Sequence, residues 1–167
     1  SARLLWDEQY LYVLADVTDA VLDNSSEVVH EQDSLEVFID ENNHKSDSYE
    51  EDDKQYRVNF VNEQSFNGKQ WTAENILSAA VQTDKGYRIE AAYKWTDITP
   101  AIGGTIGIDL QINDAEGGTR IGTVSWYDES GMGWSSPSVF GTAALGGLIQ
   151  TPGPEEPDVK EELNKLI

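Results

Sequence analysis

The sequence predicts an all-β fold, an antiparallel β-sandwich of jelly-roll type, and three observations carry that prediction. From Leu4 to Phe140, short runs of alternating apolar and polar residues are separated by Gly, Asn and Asp turns. Hardly a stretch repeats its apolar residues at helical spacing. Seven Tyr, five Trp and four Phe in 167 residues, with 38% hydrophobic residues, are enough for one packed core and too many for a disordered acidic chain.

The elements follow in order. Leu4 to Trp6 and Tyr10 to Val17 flank the turn Asp7-Glu8-Gln9 and read as a hairpin. Ser34 to Asp40, Gln55 to Val61, Ile76 to Thr83, Tyr87 to Lys94, Thr105 to Asn113 and Thr119 to Trp126 are the remaining strands, with Gly103-Gly104 and Gly117-Gly118 as hairpin turns. Neighbours on a strand point to opposite sheet faces. Leu35, Val37 and Ile39 therefore face the core, with Glu36 and Phe38 opposite; Tyr56, Val58 and Phe60 oppose Arg57 and Asn59; Ile106, Ile108, Leu110 and Ile112 oppose Asp109, Gln111 and Asn113. Three strands thus offer one apolar and one polar face, which suits either a ligand-binding sheet or a solvated one.

The sandwich is expected over 1–147, with 148–167 as linker and tail. Thr151 to Pro157 is Pro-rich and acidic, and Asp158 to Ile167 spaces Val159, Leu163 and Leu166 for a short helix. Such a linker belongs to a modular protein, and Ser1, without a leading Met, reads as the start of an excised piece.

Charge narrows the partners. Against 31 Asp and Glu stand 11 Lys and Arg, a net charge of −20, which repels nucleic acid and anionic membranes. No run of about 18 apolar residues exists to span a bilayer. With no Cys there is neither a disulfide framework nor a thiolate.

Asp40 to Asp53 packs seven carboxylates into one loop. Such a loop is either a solvated tip or a calcium site built from carboxylates, amides and carbonyls. Asp40, Asn42, Asp52 and Asp53 are the expected ligands of a structural calcium ion, though the spacing is not that of an EF-hand. Catalysis finds little support: there is no Gly-x-Ser-x-Gly elbow, His30 and His44 are the only histidines, and an acidic pair such as Asp33 with Glu36 is unremarkable in so acidic a chain.

Trp6, Trp71, Trp95 and Trp126 lie in or beside strands and read as core or sheet-packing residues. Trp134 sits instead in a loop of small and polar residues, Asp128 to Pro137. A flat indole there suits the apolar C–H face of a pyranose, or else folds back as a lid on the core.

Leu5-Trp-Asp-Glu-Gln-Tyr-Leu-Tyr-Val13, Glu31-Gln-Asp-Ser-Leu-Glu-Val-Phe-Ile-Asp-Glu-Asn-Asn-His44, Tyr56-Arg-Val-Asn59, Tyr87 to Ala92, Ile106 to Asp114 and Trp134 to Gly141 resemble, in order, the family 9 carbohydrate-binding modules. The resemblance spans roughly residues 2 to 145. It implies a non-catalytic β-sandwich with bound calcium, covalently linked to the other domains of a secreted xylanase and therefore extracellular. Its ligand would be a xylan or cellulose chain, or the reducing-end sugars of one, held between two tryptophans. Carried over by motif, Trp134 is one stacking wall and Glu36, Arg57 and Gln111 read hydroxyls. His30 stands where the family motif has the other tryptophan. A smaller, more polar ring weakens stacking or changes the glycan preference; a calcium-stabilised spacer with a decayed sugar site is the alternative. Members of the family usually carry further opening strands, so the resemblance implies either that this sequence is an excised piece or that this member is short.

Overall fold

A computed structural model of the protein describes residues 1–67 and 73–147. Trp71 and the expected linker and tail helix lie outside the described residues. Among the described residues ten strands form: β1 Ala2–Trp6, β2 Tyr10–Thr18, β3 Ser34–Asp40, β4 Asp53–Asn59, β5 Gln64–Asn67, β6 Ile76–Thr83, β7 Gly86–Lys94, β8 Thr105–Glu116, β9 Thr119–Ser125 and β10 Gly141–Ala144. They pair into two antiparallel sheets. One has the order β1-β2-β7-β6; the other runs β10-β8-β3-β4-β5, with β9 also paired to β8.

The core lies between the sheets and follows the alternation. Leu11, Val13 and Ala15 of β2 and Ile89, Ala91 and Tyr93 of β7 meet Leu35, Val37 and Ile39 of β3, Tyr56 and Val58 of β4, and Ile106, Ile108 and Leu110 of β8. Trp95 joins this core, and Trp6 packs against it while donating its indole N–H to Gly146 O at 2.8 Å.

Three features depart from the sequence expectation and one agrees with it. The short strands β5 and β10 carry too few residues to show a period. Gly103-Gly104 does not close a hairpin: it precedes β8 on the connection from β7, which crosses from one sheet to the other. Gly117 and Gly118, with φ of 65° and 80°, do close the β8–β9 hairpin, since a two-residue turn between right-twisted strands needs positive φ at both positions. Trp126 lies outside the core, 57% exposed, against Tyr127.

β3 and β4 are buried at every position, on the polar face as well as the apolar one. The cause is a second layer over the outer face of the β3-containing sheet, where Phe38 packs against Phe140 and Phe140 meets Tyr49 edge-on. That layer consists of the 41–52 loop and the 126–140 segment, and it frames the site.

Candidate functional site

Register brings Arg57, Glu36 and Gln111 onto one rung. On β3, Glu36 is paired with Arg57 of β4 on one side and with Gln111 of β8 on the other. All three point away from the core because each occupies the polar phase of its strand. One Glu36 carboxylate oxygen accepts from the Arg57 guanidinium and from Gln55 Nε2. The second accepts from Gln111 Nε2 at 3.3 Å and Asn113 Nδ2 at 3.1 Å. A buried carboxylate is tolerable when four donors share its charge. Arg57 also donates to Ser65 Oγ at 3.0 Å, and its Nε–H, buried, has no partner.

These side chains floor a depression of about 420 Å³, walled by His30 and Trp134 and completed by Phe38, Gln55, Asn67, Arg120 and Thr123. His30 sits on a single 3-10 turn, Val29–Glu31, and is exposed. Trp134, 62% exposed, is not a lid on the core. All five sugar-site residues expected from sequence therefore line one cavity. Gln55 and Asn113 were missed, although both share the alternation phase of residues that were chosen, Gln55 with Arg57 and Asn113 with Gln111.

The loop carrying Trp134 is built on two carboxylates. Asp109 accepts the N–H groups of Tyr127 and Asp128 at 3.0 and 2.7 Å. Asp128 accepts Ser130 N–H and Oγ–H at 2.7 and 2.6 Å and Gly133 N–H at 2.8 Å. Burial alone would raise the Asp128 pKa, but these donors outweigh it and hold the group below its ordinary value.

Of the four expected metal-site residues, Asp40, Asp52 and Asp53 converge, all buried, with one oxygen of each within 4.8 Å of the others. Gly107 permits this: a Cβ there would meet Asp40 Cβ at 2.9 Å. Asn42 stands beside them, donating its backbone N–H to Asp52 Oδ2 at 3.1 Å, but its side-chain oxygen accepts His44 N–H at 2.7 Å. Glu41 and Glu50, two of the loop's other carboxylates, are occupied elsewhere. Glu41 pairs with buried Lys54 and accepts backbone N–H groups from Thr96, Asp97 and Ile98, while Glu50 pairs with His44 at 3.0 Å. Burial, followed by the charges of Asp40, Asp52 and Glu50, pushes Asp53 up to about 6. A hard cation would relieve that repulsion, and the oxygen-only donor set fits calcium.

A larger cavity of about 650 Å³ opens between the sheets beside β1. Its wall is mostly aliphatic, including Leu4, Leu35, Ile108, Leu110 and Ile112, so it offers little to a sugar hydroxyl. The aromatic wall over a hydrogen-bonding floor belongs to the smaller depression.

A β-sandwich with an exposed indole beside a polar rung on one sheet face is an arrangement suited to a sugar-binding module, the class in which comparison with known proteins places the chain. The carbohydrate family 9 binding domain-like family matches residues 1–148, and the chain belongs to it. Exoglucanase XynX of Acetivibrio thermocellus is 52% identical over 148 residues, which are 88% of this chain and 14% of that protein. Endo-1,4-beta-xylanase A of Thermoanaerobacterium saccharolyticum is 52% identical over 146 residues, 87% of this chain and 12% of that protein. The chain thus spans about one-seventh or less of these relatives' length. A carbohydrate binding module of family 9 from Caldicellulosiruptor kristjanssonii, solved in complex with cellotriose, superimposes with a TM-score of 0.84 at 33% identity, covering 93% of this chain and 80% of that one. A second structure, in complex with glucose, gives 0.84 at 34% identity, covering 92% and 79%. No helix among the described residues is long and apolar enough to cross a membrane.

Proposed function

We propose that this module binds neutral β-linked glucan or xylan chains, or their ends, and holds an attached extracellular glycoside hydrolase against its substrate. Trp134 takes the apolar face of a pyranose ring, and His30 forms the opposite, weaker wall. Gln111 and Arg57 supply donors to the hydroxyls. The observation that carries this reading is the single depression in which exposed Trp134 and His30 stand beside the Glu36, Arg57 and Gln111 rung: an indole face for the apolar side of a pyranose next to polar side chains for its hydroxyls. The solved relatives, in complex with cellotriose and glucose, point to the same ligand class.

A calcium ion held by Asp40, Asp52 and Asp53 supports the site structurally. The net charge of −20 favours neutral chains over uronic-acid-rich ones.

Isothermal titration with cellobiose and xylobiose tests the proposal. Heat of binding and tryptophan quenching that vanish in Trp134→Ala, with the fold intact by near-ultraviolet circular dichroism, are expected. Unchanged binding in Trp134→Ala overturns the site. No heat with either sugar in the calcium-loaded protein overturns glycan binding and leaves a spacer.

A further inference from the structure

The outer face of the β1-β2-β7-β6 sheet lies on the far side of the sandwich from the His30–Trp134 depression. Its middle is one apolar rung. Leu5 of β1 is paired with Tyr12 of β2, Tyr12 with Ala92 of β7, and Ala92 with Leu77 of β6. Leu11 and Val13 on β2, and Ala91 and Tyr93 on β7, turn into the core, so alternation turns Tyr12 and Ala92 outward. Leu5 and Leu77 are 66% and 61% exposed, and Tyr12 is exposed between them. Apolar side chains aligned across four strands form a patch, unlike single surface residues, which are ordinary.

Tyr10, next on the same face of β2, widens the rung: its ring lies 5.9 Å from that of Tyr12, tilted by 47°. Tyr12 is held in place. Its hydroxyl donates to Asp7 Oδ2 at 2.7 Å, while Asp7 Oδ1 accepts the N–H groups of Gln9 and Tyr10 at 2.7 and 2.8 Å. A ring fixed before binding loses less rotamer freedom on contact. Polar groups border the rung on both sides: Lys94 is paired with Tyr10 on one, and Glu90 with Leu14 on the other, followed by Arg88, whose Nε–H donates to Asp16 Oδ1 at 2.7 Å.

Charge and area select the occupant. Arg3, Arg88 and Lys94 stand against Asp7, Asp16 and Glu90, which leaves this face balanced on a molecule of net charge −20. A balanced face suits a neutral ligand, while the charge of the whole repels a second copy or a polyanion. Three strand spacings make the rung about 14 Å long, and its two flanking rungs make the patch about 14 Å deep, roughly 200 Å². A stable protein interface needs about 800 Å² from each partner. The patch is too small for that and longer than one sugar ring.

We propose that the face carrying Leu5, Tyr12 and Leu77 is a second contact for a neutral polysaccharide, with Tyr10 and Tyr12 against the apolar faces of pyranose rings and Lys94 and Glu90 meeting hydroxyls. This inference rests on the glycan reading of the first site. Because the two faces lie on opposite sides of the sandwich, they hold two chains, or two distant stretches of one. Retention on a polymer therefore gains an avidity that a disaccharide, bound in the depression alone, does not show.

Binding isotherms on insoluble xylan and amorphous cellulose, set beside cellobiose titration of the same samples, provide the test. Tyr12→Ala and Leu77→Ser, two changes at exposed positions, should each lower polymer retention several-fold while leaving cellobiose affinity and the near-ultraviolet spectrum unchanged. Trp134→Ala, which loses the cellobiose heat, should keep a weak polymer retention that Leu77→Ser added to it removes. Unchanged polymer retention in both Tyr12→Ala and Leu77→Ser would overturn the inference. A concentration-dependent dimer in sedimentation that disappears in Leu77→Ser would overturn it as well, giving the face to a second copy. Absence of cellobiose heat from the unsubstituted protein defeats the first site instead, so the two failures remain distinguishable.

Discussion

The Tyr49 hydroxyl donates to the carbonyl of Gly133 at 2.6 Å and thereby ties the acidic loop to the loop that presents Trp134. Tyr49 lies between the two sites: after burial, the charges of Glu36 and Asp53 act on its phenol and hold its pKa well above the usual range. Ser138 N–H donates to Ser46 O at 3.0 Å and the Lys45 ammonium to Phe140 O, making the same connection twice more. The acidic loop is thus the scaffold on which the aromatic wall is mounted.

Removing that scaffold should weaken glycan binding without touching a sugar contact. Chelation is expected to lower the melting temperature, because an ion bound only by the native state stabilises it, and to lower cellobiose affinity as well. Tyr49→Phe should cost about 1 kcal/mol of stability and bind sugar several-fold more weakly even in calcium. Calorimetry and titration on the same samples check both; full affinity after chelation would show the loops to be uncoupled.

Arg57→Lys separates charge from geometry. A lysine keeps the positive charge beside Glu36 but loses the fork that reaches Glu36 and Ser65 together. Glycan affinity should fall about tenfold or more, given about 1.5–3 kcal/mol for a hydrogen bond to a charged group. Arg57→Ala, which strands Glu36 as a buried charge, should lose about 3–5 kcal/mol of stability. Denaturant unfolding of both variants distinguishes the two outcomes.

Low pH should loosen the Trp134 loop before it unfolds the sandwich. The folded pKa of Asp128 lies below its ordinary value of 3.8, so its stabilisation is complete above that value and fades as pH falls through the lower, folded one. Sugar binding is therefore expected to hold from pH 7 to about 4 and to fall below it. Asp128→Asn cannot accept the same three donors and should bind weakly at every pH. Titrations across this range, followed by tryptophan fluorescence, check both expectations.

The sequence exposes faces but not neighbours. Alternation alone places Glu36, Arg57 and Gln111 on polar faces, and the family motif selects them. What places them on one rung is the pairing of β3 with β4 and β8, a relation between strands 21 to 75 residues apart that no local period encodes. Gln55 and Asn113 were missed for the same reason. The acidic loop shows its charge density in sequence, yet only the fold reveals that Lys54 withdraws Glu41 and leaves Asp40, Asp52 and Asp53 together.

His30 shares the lining of the depression with the exposed Trp134, and its identity sets an upper bound on stacking. Imidazole offers less apolar surface than indole, so a pyranose ring bound in the proposed His30–Trp134 depression would meet one strong face and one weak one. Because His30 is exposed on a short 3-10 turn, a larger ring can be placed there without displacing the core. His30→Trp should therefore tighten cellobiose binding by about 1 kcal/mol, roughly fivefold, with melting temperature unchanged. Titration of the two proteins side by side decides the matter. A loss of affinity in His30→Trp would mean that the imidazole makes a hydrogen bond to a hydroxyl that indole cannot replace, and that the site is shaped for a different sugar.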